Sequence, residues 1–162
     1  MKENVTEMPR LFCTFRLEGH LFGVDMLDVK EVTTETRCTR IAHAPDEVLG
    51  LVNIRGHIYL TLDLRQLLGL SPAVVTDQTR LVLFKPVVGH PFGVLVDEIS
   101  EVHAVTPDQI EVFSATEHSQ VSSLLRRVDL IAAIGKLPEE LLVVLNPRRF
   151  LTIVEQNFTV SA

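Results

Sequence analysis

The sequence is poor in the residues and patterns that announce chemistry. Its two cysteines, Cys13 and Cys38, have no C-x-x-C spacing, and a chain of 162 residues needs no disulfide or metal staple. A chain of that length buries roughly 70% of the surface its unfolded form exposes. Both thiols are read as reduced packing residues of a cytoplasmic protein. No stretch approaches the about 18 continuous apolar residues of a membrane span, and Met1 to Arg10 is polar, without the apolar segment of a secretory signal. Direct membrane insertion is not expected. Basic residues are too few and too scattered for a phosphate-binding face: 15 Lys and Arg stand against 21 Asp and Glu, for a net charge of −6. Only Arg126-Arg127 and Arg148-Arg149 form tight clusters, so a dedicated nucleic-acid binder is not expected.

Catalytic signatures are missing too. There is no G-x-S-x-G elbow, no phosphate-cradling glycine loop and no H-E-x-x-H. Of the six histidines, His20 and His90 occupy equivalent turns. His43, His57, His103 and His118 show neither i, i+4 pairing nor clustering with cysteine. No catalytic residue, metal ligand or cofactor site is assigned, and the chain is expected not to be an enzyme.

What the sequence does contain is a short hydrophobic period, mostly of two. Leu11–Leu17 and Leu21–Val24 flank Glu18-Gly19-His20, and Arg80–Phe84 and Phe92–Val96 flank Val88–Pro91, each pattern predicting a hairpin. Further apolar runs lie at Leu49–Ile54, Ile58–Leu64, Leu130–Ile134 and Leu141–Leu145. Helices are predicted to be short and few. Leu64–Leu68 ends at a capping Gly69, Pro147–Leu151 opens with proline, and Thr106–Ile110 forms a single turn under a threonine cap. Ser114–Ser123 is polar, a loop with some helix.

An internal repeat organises these segments. Gly19-His20-Leu21-Phe22-Gly23-Val24 recurs as Gly89-His90-Pro91-Phe92-Gly93-Val94, and at the same offset Glu31-Val32 meets Glu101-Val102. Leu62-Asp63-x-Arg65 is matched by Leu145-Asn146-x-Arg148, with Asp63 and Asn146 as equivalent helix N-caps. The chain is therefore expected to be all-β with a few short helices, built as two related subdomains.

Residues 48–70, which include Gly50-Leu51-Val52-Asn53-Ile54-Arg55-Gly56 and the strand ending in Asp63-Leu64-Arg65, closely resemble the signature of the CheW-like family. Val29-Lys30-Glu31-Val32 resembles its V-x-E-I segment. Thr79–Val82 and Phe92–Val102 resemble its second half. The resemblance covers roughly residues 10–155. It implies two small five-stranded, SH3-like β-barrels packed around a hydrophobic groove, from about 10–75 and 76–150 with a possible exchange of terminal segments, between a flexible N-terminus at 1–9 and a tail at 156–162.

The resemblance further implies a non-catalytic adaptor of bacterial chemosensory signalling. Its partners would be the regulatory domain of a CheA-type histidine kinase and the cytoplasmic tip of chemoreceptors, in arrays at the membrane. A stand-alone regulatory module or a homodimeric CheW-like domain is the alternative. By the same resemblance Arg55 and Glu31 form an interface pair, an internal structural salt bridge being the competing reading, and both hold if the pair orients Arg55. Val29 and Val32 are either groove contacts or core. Ile54, Gly50 and Gly56 complete the partner-binding set, the glycines suiting bulges, tight turns or close backbone approach. The chain departs from the family pattern at Leu60, often Pro, and at Ala133, often Gly, and residues 114–127 match no family segment.

Overall fold

The computed structural model describes the backbone of residues 8–161 and side chains as far as Asn157, so most of the expected flexible N-terminus lies outside the described residues. Eleven strands and three helices follow in order: β1 (Arg10–Leu17), β2 (His20–Asp25), β3 (Val29–Thr33), β4 (Val48–Ile54), β5 (His57–Asp63), α1 (Leu64–Leu68), β6 (Arg80–Phe84), β7 (Phe92–Val96), β8 (Glu98–Val105), β9 (Ile110–Glu111), α2 (Ser119–Leu124), β10 (Ile131–Lys136), β11 (Leu141–Leu145) and α3 (Arg148–Ser161). The alternating runs fold as the strands they predict, and the architecture is mostly β in two SH3-like sheets.

One sheet has the order β8-β1-β2-β11-β10-β9 and the other β3-β6-β7-β5-β4. The two-residue β9 makes the first sheet six-stranded instead of five. Matching the orders pairs β8 with β3, β1 with β6, β2 with β7, β11 with β5 and β10 with β4. In each sheet the antiparallel hairpin is joined to the neighbouring antiparallel pair by one parallel contact, β2 to β11 and β7 to β5. The hairpins are exchanged between the repeats. The first hairpin, β1–β2, sits beside strands of the second repeat, while β6–β7 sits beside β3, β4 and β5 of the first. Each sheet therefore draws on both halves of the chain.

Period two in the sequence becomes two-sided burial in the sheets. Along β6, Leu81 and Leu83 join Val52, Ile54 and Tyr59 in a small core within the second sheet, while Val82 and Phe84 face the other sheet. Along β1, Phe12 packs with Leu21, Val105, Leu142 and Val144, while Cys13, Phe15 and Leu17 face across. The largest core lies between the sheets, where Phe84 stacks on Phe92 at 4.9 Å and Phe150 of α3 meets both rings edge-on. Burial pushes the Cys13 thiol up to about 11, which makes it a packing residue and not a nucleophile.

Local signals hold where they are local. Asp63 Oδ1 accepts from the Arg65 N–H at 3.1 Å and Asn146 Oδ1 from the Arg148 N–H at 3.1 Å, so both helices start on the repeat-related caps. Gly69 ends α1 in the left-handed conformation. The repeat extends to ion pairs: Arg65 binds Asp97, and Arg148 binds the buried Asp28 at 3.1 Å. Helix α3 runs past Gln156, where a tail is expected, because Phe150, Ile153 and Val154 bury one stripe and Asn157 reaches Glu47 at 2.5 Å. The unmatched 114–127 region holds α2 and a buried His118. His118 Nδ1 lies 2.9 Å from the Ser114 N–H and 3.1 Å from the Ser114 carbonyl oxygen, and Nε2 lies 2.6 Å from a Glu111 carboxylate oxygen.

Candidate functional site

The signature segment folds as the β4–β5 hairpin, whose register runs Val52 to Tyr59, Asn53 to Ile58 and Ile54 to His57. Two residues, Arg55 and Gly56, make the turn, with φ of +51° and +88°. Two consecutive left-handed residues define the turn that matches the twist of a β-hairpin. Gly56 suits it. Arg55 is unusual there, since non-glycine residues rarely adopt that region. The Gly56 N–H donates to Asn53 Oδ1 at 2.8 Å.

Arg55 reaches across the sheet to Glu31, whose carboxylate accepts from Nη2. β3, which carries Glu31, and β4, which leads into Arg55, are opposite edges of the five-stranded sheet. Lying flat they would be about 19 Å apart, four strand spacings, so the contact exists only because the sheet curls. The backbone closes in the same place: Thr39, after β3, exchanges hydrogen bonds with Leu51 of β4 at 2.7 and 2.8 Å. Gly50 makes that approach possible. It is buried at a bulge with φ +147°, and a Cβ there would lie 2.1 Å from the Thr39 carbonyl oxygen.

The pair is open to solvent, the Arg55 side chain being 68% exposed and Glu31 26%. Val32 beside it is 38% exposed, and Leu51 and Ile58 on the outer face of β4–β5 are 39% and 51% exposed. Val29 and Ile54 differ. Their side chains are 8% and 6% exposed, Val29 in the core between the sheets and Ile54 in the core of the curled sheet. Both side chains pack inward behind the exposed surface, Val29 in the core alternative the sequence left open. Gly50 is likewise a backbone device, whereas nothing lies within 4 Å of a Cβ built on Gly56. Burial separates these residues because alternation along a strand marks two faces without saying which is inward.

Sequence reading missed Leu51, Ile58 and the role of Asn53. All three lie inside the signature segment, and the alternation that puts 51 and 53 of β4 and 58 of β5 on one face was the available signal. It also missed a second charged node. Arg65 donates from Nε and Nη2 to Asp97 at 2.8 and 2.6 Å, and the Glu18 carboxylate accepts from Arg65 at 3.4 Å and from the Ser71 N–H at 3.1 Å. Burial pushes the Asp97 carboxyl up, but the Arg65 guanidinium and the Glu18 N–H outweigh it and hold the group below its ordinary value. Among the described residues no group of His, Cys, Asp and Glu has a metal-holding arrangement, and no helix is long and apolar enough to cross a membrane.

Residues 11–155 match the CheW-like domain. The chain belongs to the CheW-like family. It is 28% identical over 144 residues to the chemotaxis protein CheW of Klebsiella aerogenes, a match covering 89% of this chain and 82% of that one. The chemotaxis protein CheW of Helicobacter pylori is 24% identical over 153 residues, covering 93% and 86% of the two chains. The crystal structure of the scaffolding protein TtCheW from Thermoanaerobacter tengcongensis superposes with a TM-score of 0.72 at 23% identity, over 85% of this CheW-like chain and 89% of that protein. That likeness carries the fold.

Proposed function

We propose that this CheW-like chain is a non-catalytic adaptor that couples chemoreceptors to a CheA-type histidine kinase, working in the cytoplasm at membrane-associated receptor arrays. The observation that carries the reading is the Arg55–Glu31 pair. It stands exposed at a hairpin tip, and one Arg55 N–H is engaged with Glu31. A guanidinium has five donors in a planar fork, so the same arginine takes a partner's carboxylate or carbonyl without releasing Glu31. Apolar Val32, Leu51 and Ile58 in the same curled sheet supply the dehydrated contact a charged pair alone lacks. An adaptor needs such surface and no reacting centre. Gly56 leaves open space over the turn for close approach of a partner.

The test is co-sedimentation of the purified chain with membranes carrying a receptor and its cognate kinase. Kinase recruitment is expected to require the chain and to fail with folded Arg55→Glu or Glu31→Arg variants. Normal recruitment by both folded variants would remove the site assignment. Absence of a ternary complex with any cognate pair, together with a dimer in light scattering, would replace the adaptor with a homodimeric module.

A further inference from the structure

We propose that Asn53 is the positioning residue of this docking surface: its carboxamide oxygen holds the Arg55–Gly56 turn in the left-handed conformation from which Arg55 reaches both Glu31 and a partner. The inference rests on the reading of Arg55 as a partner contact and deepens it.

A two-residue turn of this kind is normally built from Asn-Gly, because a short polar side chain at the first position stabilises positive φ from within. Arg55 has φ +51° and no such group, so the stabilising contact comes from elsewhere. Asn53 supplies it. Its Oδ1 accepts from the Gly56 N–H at 2.8 Å, spanning the turn from the last outward-facing position of β4. The molecule's other two-residue turn follows the same logic with a different acceptor. Glu18 there has φ +51°, Gly19 has φ +83°, and the Glu18 N–H is held by Asp97 Oδ2 at 2.8 Å. At both turns a left-handed charged residue is accompanied by a side-chain oxygen bound to a turn amide.

The direction of the Arg55 side chain depends on that backbone. Relaxing φ to negative values would swing its Cα–Cβ bond away and lose the reach to Glu31 on the opposite edge. Asn53 is itself exposed, so a direct contact with the partner is the rival account, and a double-mutant cycle separates the two.

The experiment uses the full chain, isotope-labelled, and the regulatory domain of its cognate CheA-type kinase as the binding probe. Asn53→Ala is expected to weaken binding about tenfold, the scale of one hydrogen bond, and to abolish the left-handed Cα and Cβ chemical-shift pattern of Arg55. Asn53→Asp, which keeps the acceptor, stays within about threefold of the parent. In an Arg55→Ala background Asn53→Ala changes binding by less than about twofold, because the residue acts through Arg55. Full additivity in that background, or an unchanged Arg55 shift pattern in Asn53→Ala, overturns the proposal. If Arg55→Ala binds like the parent, the docking surface itself is misassigned, and the chemical-shift arm still decides whether Asn53 holds the turn. Thermal midpoints for each variant guard against unfolding.

Discussion

The β1–β2 and β4–β5 turns share a backbone and a side-chain oxygen on a turn amide, and differ in where their charged side chains go. Both put a charged residue at φ +51° ahead of a glycine at positive φ. At Glu18 the backbone N–H goes to Asp97, and the carboxylate goes to Arg65 and to the Ser71 N–H. That turn is fastened to α1, to the segment after it and to the junction of β7 and β8. At Arg55 the side chain has Glu31 and is otherwise open to solvent. The same conformation serves as a joint in one sheet and as a presented side chain in the other, and the neighbours decide which.

The largest effect that would sharpen this contrast is on assembly. Arg55→Glu places like charges together at the hairpin tip and is expected to weaken kinase-domain binding by about 100-fold, a scale of 2–5 kcal/mol for a charge at an interface, with stability changed by less than about 1 kcal/mol. Binding titration and urea unfolding on one sample read both. Next is the fastened node. Asp97→Asn removes a bidentate, charge-assisted contact and is expected to cost about 2 kcal/mol of stability in urea unfolding. Glu18→Asn introduces a residue that tolerates the left-handed conformation but loses the contacts to Arg65 and Ser71, so a net loss of about 1 kcal/mol is expected. Arg55→Asn makes the ideal Asn-Gly turn. Its thermal midpoint is expected to stay equal to the parent's or rise slightly while binding falls. A large stability loss there would mean that the Arg55 turn is also a joint.

The smallest effect is pH-dependent. The Asp97 carboxyl is held below its ordinary value in the folded chain, so its contribution is complete above the unfolded value near 3.9 and is lost as pH falls through the lower folded value. Asp97→Asn should therefore show a shallower loss of stability below about pH 4 than the parent, measured by urea midpoints along an acid series. Equal slopes would show that other carboxylates carry the acid limb.

The contrast between the turns also shows what a sequence displays. Hairpins β1–β2 and β6–β7, the Asp63 and Asn146 caps, the Gly69 stop and the turn at Pro107–Gln109 were legible because each depends on residues within a few positions of one another. The Glu31–Arg55 contact came from family likeness, since no local rule links residues on opposite sheet edges. The inward placement of Val29 and Ile54 was not legible, because burial depends on which face of a curled sheet meets a neighbour. The joint at Glu18, Arg65 and Asp97 gave no signal, its members being scattered along the chain and united only by packing.

The exchange of hairpins gives the chain an order of synthesis with a consequence for its abundance. When a ribosome has made β1 and β2, the strand that β2 must lie against, β11, is still more than a hundred residues away. The five-stranded sheet can close once β7 has emerged at Val96, but the six-stranded sheet must wait for β11, and such distant pairings are slow to form and leave strand edges bare meanwhile. A product truncated before β11 thus keeps the strands of one sheet and leaves the β1–β2 hairpin without the strand β2 lies against. That bare β2 edge would make a truncated chain fit for proteolysis, which ties the number of intact copies to the number of finished chains.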